Sequence, residues 1–370
     1  MNSLERVASQ DSESIEGDNM NHGQFYKADK LVEAVHKNAG GIFAGFRGAH
    51  AFGRIYQGTF TPTAMAKSIS RAAHFQGPPV PATARLSAVS GDPNQKPENV
   101  VAMATKFYLR DGTITDLIGI TLPAFFAATP EEFFGFEEAR AADPTTGKLD
   151  HAKLLAYLVN HPNAARVVHA LQTQLAPMSL AQTSFRALHA YRFSNAADES
   201  RWARYHWEPE AGVAGQPVEE LVKKPHDYLF DEFETRLKRN TVAFTLDLQF
   251  AEEGDSLDDP SAIWPDDRER VTVGRLELTR PVTLEELGDP VMMHDPTRVT
   301  DGIEVSQNDQ IIALRRGAYM LSVAQRTGGW QRRSPTLAQQ GCPFHAAASS
   351  SSGISEIVAT EAHSKRKVST

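Results

Sequence analysis

The chain has 370 residues, of which 41% are apolar and 23% are charged, and its formal net charge is −8. These values exclude an intrinsically disordered chain and predict one large domain, or two ordinary ones, with a buried core. The negative charge argues against nucleic acid as a partner, because a phosphate backbone is bound by a surplus of Lys and Arg. A small-molecule substrate fits better.

Cysteine use and hydropathy indicate where the protein works. The single cysteine, Cys342, excludes an intramolecular disulfide and a Cys-based zinc site. No stretch approaches the roughly 18 consecutive apolar residues of a membrane span. The N-terminus lacks the basic and then apolar pattern of a signal peptide. We therefore expect a cytoplasmic protein without a membrane span.

Both ends of the chain are polar and are predicted to be flexible tails. Residues 1–24 are polar and acidic, and residues 331–370 are of low complexity and include the run SSSS. One folded domain is therefore expected over residues 25–330.

The first half of this domain combines one helix with a strand pair. Residues 28–38 place apolar side chains at helical spacing. Residues 84–92 and 100–109 are rich in strand-forming residues, and Arg110–Thr113 is a plausible hairpin turn after the second of them.

The second half alternates blocks of helix and strand. Thr129 followed by Pro130 is a typical helix start, and residues 218–239 have helical spacing that a proline interrupts. Residues 241–250 alternate apolar and polar side chains, as a strand does. Further helices are predicted at 150–162 and 162–175, and further strands at 189–195 and 271–278. Several antiparallel strands with helices in blocks indicate an α+β fold.

The segment RGAHAFG, residues 47–53, places His50 among very small residues. Glycine and alanine would let a flat or bulky group approach the backbone, and a histidine can exchange a proton near neutral pH. A tight turn around a core histidine explains the same pattern, so the segment alone leaves both interpretations open.

Residues 301–326, if helical, place Arg315 and Tyr319 one turn apart on the same face. That face of the helix would present a guanidinium group beside a phenol. A surface arginine beside a half-buried tyrosine is the ordinary alternative.

Taken together in chain order, five segments resemble the haem catalase superfamily and, more closely, its short members, the catalase-related peroxidases. The resemblance covers residues 25–330 and implies an antiparallel β-barrel with flanking helices. The five segments are HAFGRIYQGTFTP (50–62), RLSAVSG (85–91), KFYLRDGTITDLIGITLPAFF (106–126), SFRALHAYRFSN with RWARYHW (184–207) and RRGAYMLSVAQR (315–326).

The resemblance implies a role for each matching residue around one haem b. His50 corresponds to the distal general base that moves a peroxide proton to the leaving oxygen, and Ser87 to the residue that orients it. Tyr319 corresponds to the axial ligand of the haem iron. A tyrosine titrates near about pH 10 and needs both the metal and a nearby cation to stay ionised at neutral pH, and Arg315 is placed to be that cation.

Three arginines match the family positions that hold the haem propionates. Arg47 lies three residues before His50, Arg85 two residues before Ser87, and Arg326 seven residues after Tyr319. Forked guanidinium groups suit carboxylates, because two parallel N–H groups can donate to the two oxygens.

Two departures from typical catalases bear on the reaction. Ile120 stands where they carry an asparagine whose amide can stabilise charge during O–O cleavage. Phe52 stands where the family often has a basic residue, and this makes the neighbourhood of the distal histidine less polar. We therefore expect a peroxidase that reduces hydrogen peroxide or an organic hydroperoxide with a small organic electron donor, and only weak catalase activity. The alternatives are a fatty-acid hydroperoxide rearrangement like that of allene oxide synthases, a peroxygenase, or a haem carrier without turnover. A homo-oligomer is compatible with this sequence.

Overall fold

The computed structural model describes residues 22–96, 99–143 and 145–327. The predicted tails and Cys342 lie outside these ranges, except that residues 22–24 of the predicted N-terminal tail belong to the first helix.

Eight antiparallel strands close into a barrel. Their order around the barrel is β1, β2, β3, β4, β6, β8, β10 and β11, and β11 pairs with β1 to complete the circle. Strands β7 and β12 extend the sheet beyond β8, while β5 pairs with β9 separately. The strands are β1 Gly53–Pro62, β2 Val80–Ala88, β3 Val101–Tyr108, β4 Ile114–Ile120, β5 Ala176–Pro177, β6 Phe185–Arg186, β7 Tyr191–Ser194, β8 Ser200–Pro209, β9 Gly215–Gln216, β10 Val242–Phe250, β11 Arg270–Val282 and β12 Ile303–Val305.

Helices flank the barrel, and the predicted α+β architecture is confirmed. The predicted proline break falls between α6 and α7. Among the described residues, no helix is both long and apolar enough to cross a membrane. The helices are α1 His22–Asn38, α2 Ala66–Ile69, α3 Pro130–Ala139, α4 His151–Asn160, α5 Pro162–Thr173, α6 Val218–Val222, α7 Tyr228–Leu237, α8 Leu284–Leu287 and α9 Gln310–Arg326.

Aromatic side chains pack at the centre of the barrel. The ring of Phe60 lies 5.1 Å from that of Phe107 and 6.2 Å from that of Trp207, both in edge-on arrangements that aromatic pairs favour. Gly274 of β11 makes this packing possible, because a Cβ atom there would lie 2.0 Å from the Phe60 ring.

The strand register produces two rows of side chains on the face of β2, β3 and β4 that points away from the barrel core. One row is Arg85, Ala104 and Ile118, and the next is Ser87, Ala102 and Ile120. Alternation sends Leu86 and Met103 into the core on the opposite face. Because both β3 residues in the rows are alanine, a shallow space remains above this part of the sheet.

Helices α1 and α9 lie across this space and pack against each other. Ala28 and Val32 of α1 form a buried cluster with Leu314, Ala318 and Leu321 of α9. The two helices and the three strands therefore enclose the region where the candidate site lies.

The buried histidine His74 generates a prediction about stability. It stacks on Phe107 and is 2% exposed, and burial lowers its pKa to about 3. Between about pH 3 and 6.5 the unfolded chain therefore binds a proton that the folded chain does not, so stability falls as the pH falls through this window. We expect His74→Phe to reduce the slope of unfolding free energy against pH by up to about 1.4 kcal/mol per pH unit near pH 5. Urea unfolding at a series of pH values measures the slope; equal slopes in both proteins would contradict the prediction.

Candidate active site

All seven residues predicted from the sequence line one cavity. Its volume is about 140 Å³. Strands β2 to β4 form one wall, and α1 and α9 form the other. The seven residues are Arg47, His50, Arg85, Ser87, Arg315, Tyr319 and Arg326.

His50 is held beside Ser87 by the entry of the chain into β1. Gly53 pairs with Ser87 across β1 and β2, and a Cβ atom on Gly53 would lie 2.6 Å from the Leu86 carbonyl oxygen. The Oγ of Ser87 lies 3.2 Å from Nδ1 of His50. His50 has a φ of 55°, a left-handed conformation that costs a non-glycine residue energy, and its amide donates to the Val89 carbonyl.

The electrostatic surroundings keep His50 uncharged. Burial, followed by the positive charges of Arg85, Arg315 and Arg47, lowers the pKa of His50 to about 3. When Nδ1 of the neutral ring donates to Ser87 Oγ, Nε2 is left as a proton acceptor. The side chain can therefore act as a base without first losing a proton.

The opposite wall presents a phenol clamped by a guanidinium group. Helix α9 brings Arg315 and Tyr319 together as their spacing predicted, and Nε and Nη2 of Arg315 donate to Tyr319 Oη over 2.9 and 2.6 Å. Burial acts to lower the pKa of Arg315, but Tyr319, followed by Tyr191 and Asp309, together raise it. A permanent cation therefore touches the phenol oxygen.

Two residues that the sequence did not reveal extend this clamp. Arg315 Nη1 donates to Nε2 of His189 over 2.9 Å, and Nδ1 of His189 lies 2.6 Å from the carboxylate of Asp309. Since arginine can only donate, His189 must carry its proton on Nδ1 and donate it to Asp309. Asp309 is also the N-cap of α9, where it accepts from the amides of Ile311 and Ile312. Asp309 follows a typical capping pattern, but no local signal links it to His189.

The three remaining arginines converge at another edge of the cavity. Arg47 and Arg326 both donate to the Met292 carbonyl oxygen, over 2.5 and 3.2 Å, and Arg85 donates to the His50 carbonyl over 2.8 Å. Burial and mutual repulsion lower the pKa of Arg47, and burial, followed by the charge of Arg326, lowers that of Arg85 to about 10. This edge, which we call the arginine edge, favours an anion.

The structure corrects one expectation about the distal pocket and refines another. Phe52 does not line the cavity: its ring packs against His226 and Phe230, at 4.3 and 4.8 Å. Phe52 lies in a bend just before β1, where no periodicity of the sequence shows which way a side chain points. Ile118 lies in the cavity wall, whereas Ile120, in the row of Ser87, packs within an apolar cluster beside it. The strand contributes apolar side chains at both positions.

Comparison with known proteins identifies relatives of this chain. The family model "Catalase" matches residues 44–362. A catalase-related peroxidase of Mycolicibacterium paratuberculosis is 37% identical over 303 residues, which are 81% of this chain and 95% of the relative. A catalase-related peroxidase of Synechococcus elongatus is 31% identical over 303 residues, covering 81% of this chain and 89% of the relative.

A solved structure supports the fold independently. Catalase A from Saccharomyces cerevisiae superimposes with a TM-score of 0.66 at 21% sequence identity, over 76% of this chain and 61% of the yeast chain. At this identity the likeness concerns the fold alone.

The clamp generates a prediction about His189. Replacing it by alanine leaves the buried Arg315 Nη1 and Asp309 carboxylate without their partner, so we expect His189→Ala to destabilise the chain by about 2–4 kcal/mol. Urea unfolding measures this loss. His169→Ala on the exposed face of α5 is the matched control and should stay within about 0.5 kcal/mol of the parent. A similar small effect for both variants would show that the buried network contributes little.

Proposed function

Because this chain belongs to the catalase family, we propose that it is a haem b peroxidase that reduces hydrogen peroxide or an organic hydroperoxide and oxidises a small organic donor. The observation that carries this proposal is the single cavity that has the His50–Ser87 pair on one wall and the Arg315–Tyr319 clamp on the other. We also propose that it acts in the cytoplasm, as its single cysteine suggests.

The residues of the cavity fit a haem group. Ala102 and Ala104 leave a flat space over the sheet for a porphyrin. Tyr319 is the residue that would bind the iron, since its oxygen already faces a cation that stabilises the ionised form. The arginine edge would hold the two propionates. Bound haem would supply a redox-active iron that reduces the peroxide and then oxidises the donor.

The chain itself supplies proton transfer and positioning. Nε2 of His50 accepts a proton from the peroxide and returns it to the departing oxygen, which leaves as water or as an alcohol. Ser87 holds the ring in the orientation that this transfer needs. Arg315 stabilises negative charge on Tyr319, and His189 and Asp309 hold Arg315 in place.

The distal wall favours organic molecules over rapid dismutation of hydrogen peroxide. Ile118 gives the cavity wall an apolar surface, and Ile120, which packs in the neighbouring apolar cluster, carries no amide. Thr121, the nearest polar side chain of the same segment, is turned away, because its Oγ1 bonds to the backbone of Val101 and Asn99. The same wall supports a second candidate, the rearrangement of a fatty-acid hydroperoxide without a donor.

His50 provides the first test. We expect His50→Ala to retain haem but to lower peroxide turnover on the order of 10² or more, since general acid–base help is typically worth about 10² to 10⁴. Steady-state turnover at matched haem content, read from the Soret absorbance, is the measurement. Unchanged turnover would instead identify a haem carrier. Tyr319→Phe is the companion variant, and it should weaken haem retention whichever reaction the protein performs.

A donor-dependence assay separates the two candidate reactions. With the purified holoenzyme and a lipid hydroperoxide, we expect consumption only when an oxidisable phenol is added, because the peroxidase cycle needs two electrons from a donor. Oxygen evolution from hydrogen peroxide, measured in parallel, should be slow relative to phenol oxidation. Consumption of the hydroperoxide without any donor would overturn the peroxidase proposal in favour of the rearrangement.

A further inference from the structure

His294 is a buried histidine of the same cavity that the proposed mechanism does not use. It is 4% exposed, it lines the cavity beside Met293, and neither ring nitrogen has a hydrogen-bond partner within the part of the chain that the structure describes. Buried polar atoms in folded proteins are nearly always paired. An unpaired imidazole in a cavity wall therefore points to a ligand that supplies the partner.

The backbone before His294 runs along the arginine edge. The carbonyl oxygen of Met292 accepts from both Arg47 and Arg326, and the carbonyl oxygen of Met293 accepts from Lys106 over 2.9 Å. Lys106 belongs to the row of side chains next to that of Arg85 on the outer face of the sheet. Lys106 also pairs with the Asp116 carboxylate, at 3.2 Å, so the positive charge that favours an anion beside His294 comes from the arginine edge.

The charge state of His294 decides what it can bind. Burial, followed by the charges of Lys106, Arg47 and Arg85, holds the pKa of His294 well below its usual range. The ring is therefore neutral and carries one N–H donor. The cations around it can only donate hydrogen bonds, so the natural partner of its N–H is an anionic acceptor brought by a ligand.

We propose that His294 donates a hydrogen bond to a carboxylate of bound haem, beside Arg47, Arg85 and Arg326. This inference rests on the proposed function, because it needs haem in the cavity. A neutral donor can satisfy a carboxylate oxygen that the arginines leave unpaired, and it does so without adding a fourth positive charge to a crowded edge. His294 is in this sense a residue for cofactor recognition and not for proton transfer.

Titration of the apoprotein with two haems tests the contact. Haem b carries two carboxylates, whereas haem b dimethyl ester carries none, so only the former can receive a charge-assisted bond from His294. We expect His294→Phe to weaken haem b binding roughly 10- to 100-fold, as for loss of a hydrogen bond to a charged group, but to weaken dimethyl ester binding less than about threefold. His294→Gln, which keeps an N–H donor, should recover part of the haem b affinity.

His74→Phe is the matched control, because it removes a second fully buried histidine that lies outside the cavity wall. It should bind both haems like the parent. Equal weakening of both haems by His294→Phe would show a packing effect and overturn the proposal, as would unchanged haem b affinity or an equal loss in His74→Phe. Failure of the parent chain to bind either haem would reject the proposed function instead, so the two failures are distinguishable.

Discussion

The burial of the Arg315 guanidinium group is the constraint on which the rest of the site depends. A guanidinium group stays charged in proteins, and its burial is tolerable only when acceptors surround it. Those acceptors are Tyr319 Oη and His189 Nε2, and His189 is fixed in turn by Asp309. Because Asp309 also caps α9, one network ties the start of the helix, the segment before β7 and the phenol together. The position of Tyr319 is therefore set by the fold itself and does not depend on a ligand.

The buried guanidinium groups of the arginine edge are held by backbone carbonyl groups. Arg47 and Arg326 donate to the neutral carbonyl groups of Met292 and Val291, which are dipoles and do not cancel a full charge. Lys106 differs, because it donates to the Met293 carbonyl and also pairs with the Asp116 carboxylate. A carboxylate side chain in that place would pair with the cations and leave nothing for a ligand. Carbonyl partners hold the guanidinium groups in position while the edge keeps its net positive charge, so it is preorganised for anions.

The helices and strands that have strong local signals could be predicted from the sequence. The same is true of the site residues that lie in motifs matched in chain order. The cap at Thr129, the proline break after α6 and the pair on α9 all follow from spacing along the chain. Short elements such as β6, with 2 residues, have no periodicity to detect. The link from His189 to Asp309 joins residues 120 positions apart. Such contacts arise only when the barrel closes, which explains why His189 and His294 were not found and why Phe52 was assigned to the wrong surroundings.

The arginine edge and the distal base are electrostatically coupled, although they serve different ends of the cavity. Burial is the largest cause of the pKa of about 3 for His50, and the charges of Arg85, Arg315 and Arg47 lower it further. A base this weak accepts a proton poorly, because general acid–base catalysis is most efficient when the pKa lies near the working pH. Two carboxylates bound at the arginine edge would offset the charges of Arg85 and Arg47 and so raise the pKa of His50, while burial would continue to lower it. A bound anionic cofactor would thus fill the cavity and also make His50 a stronger base.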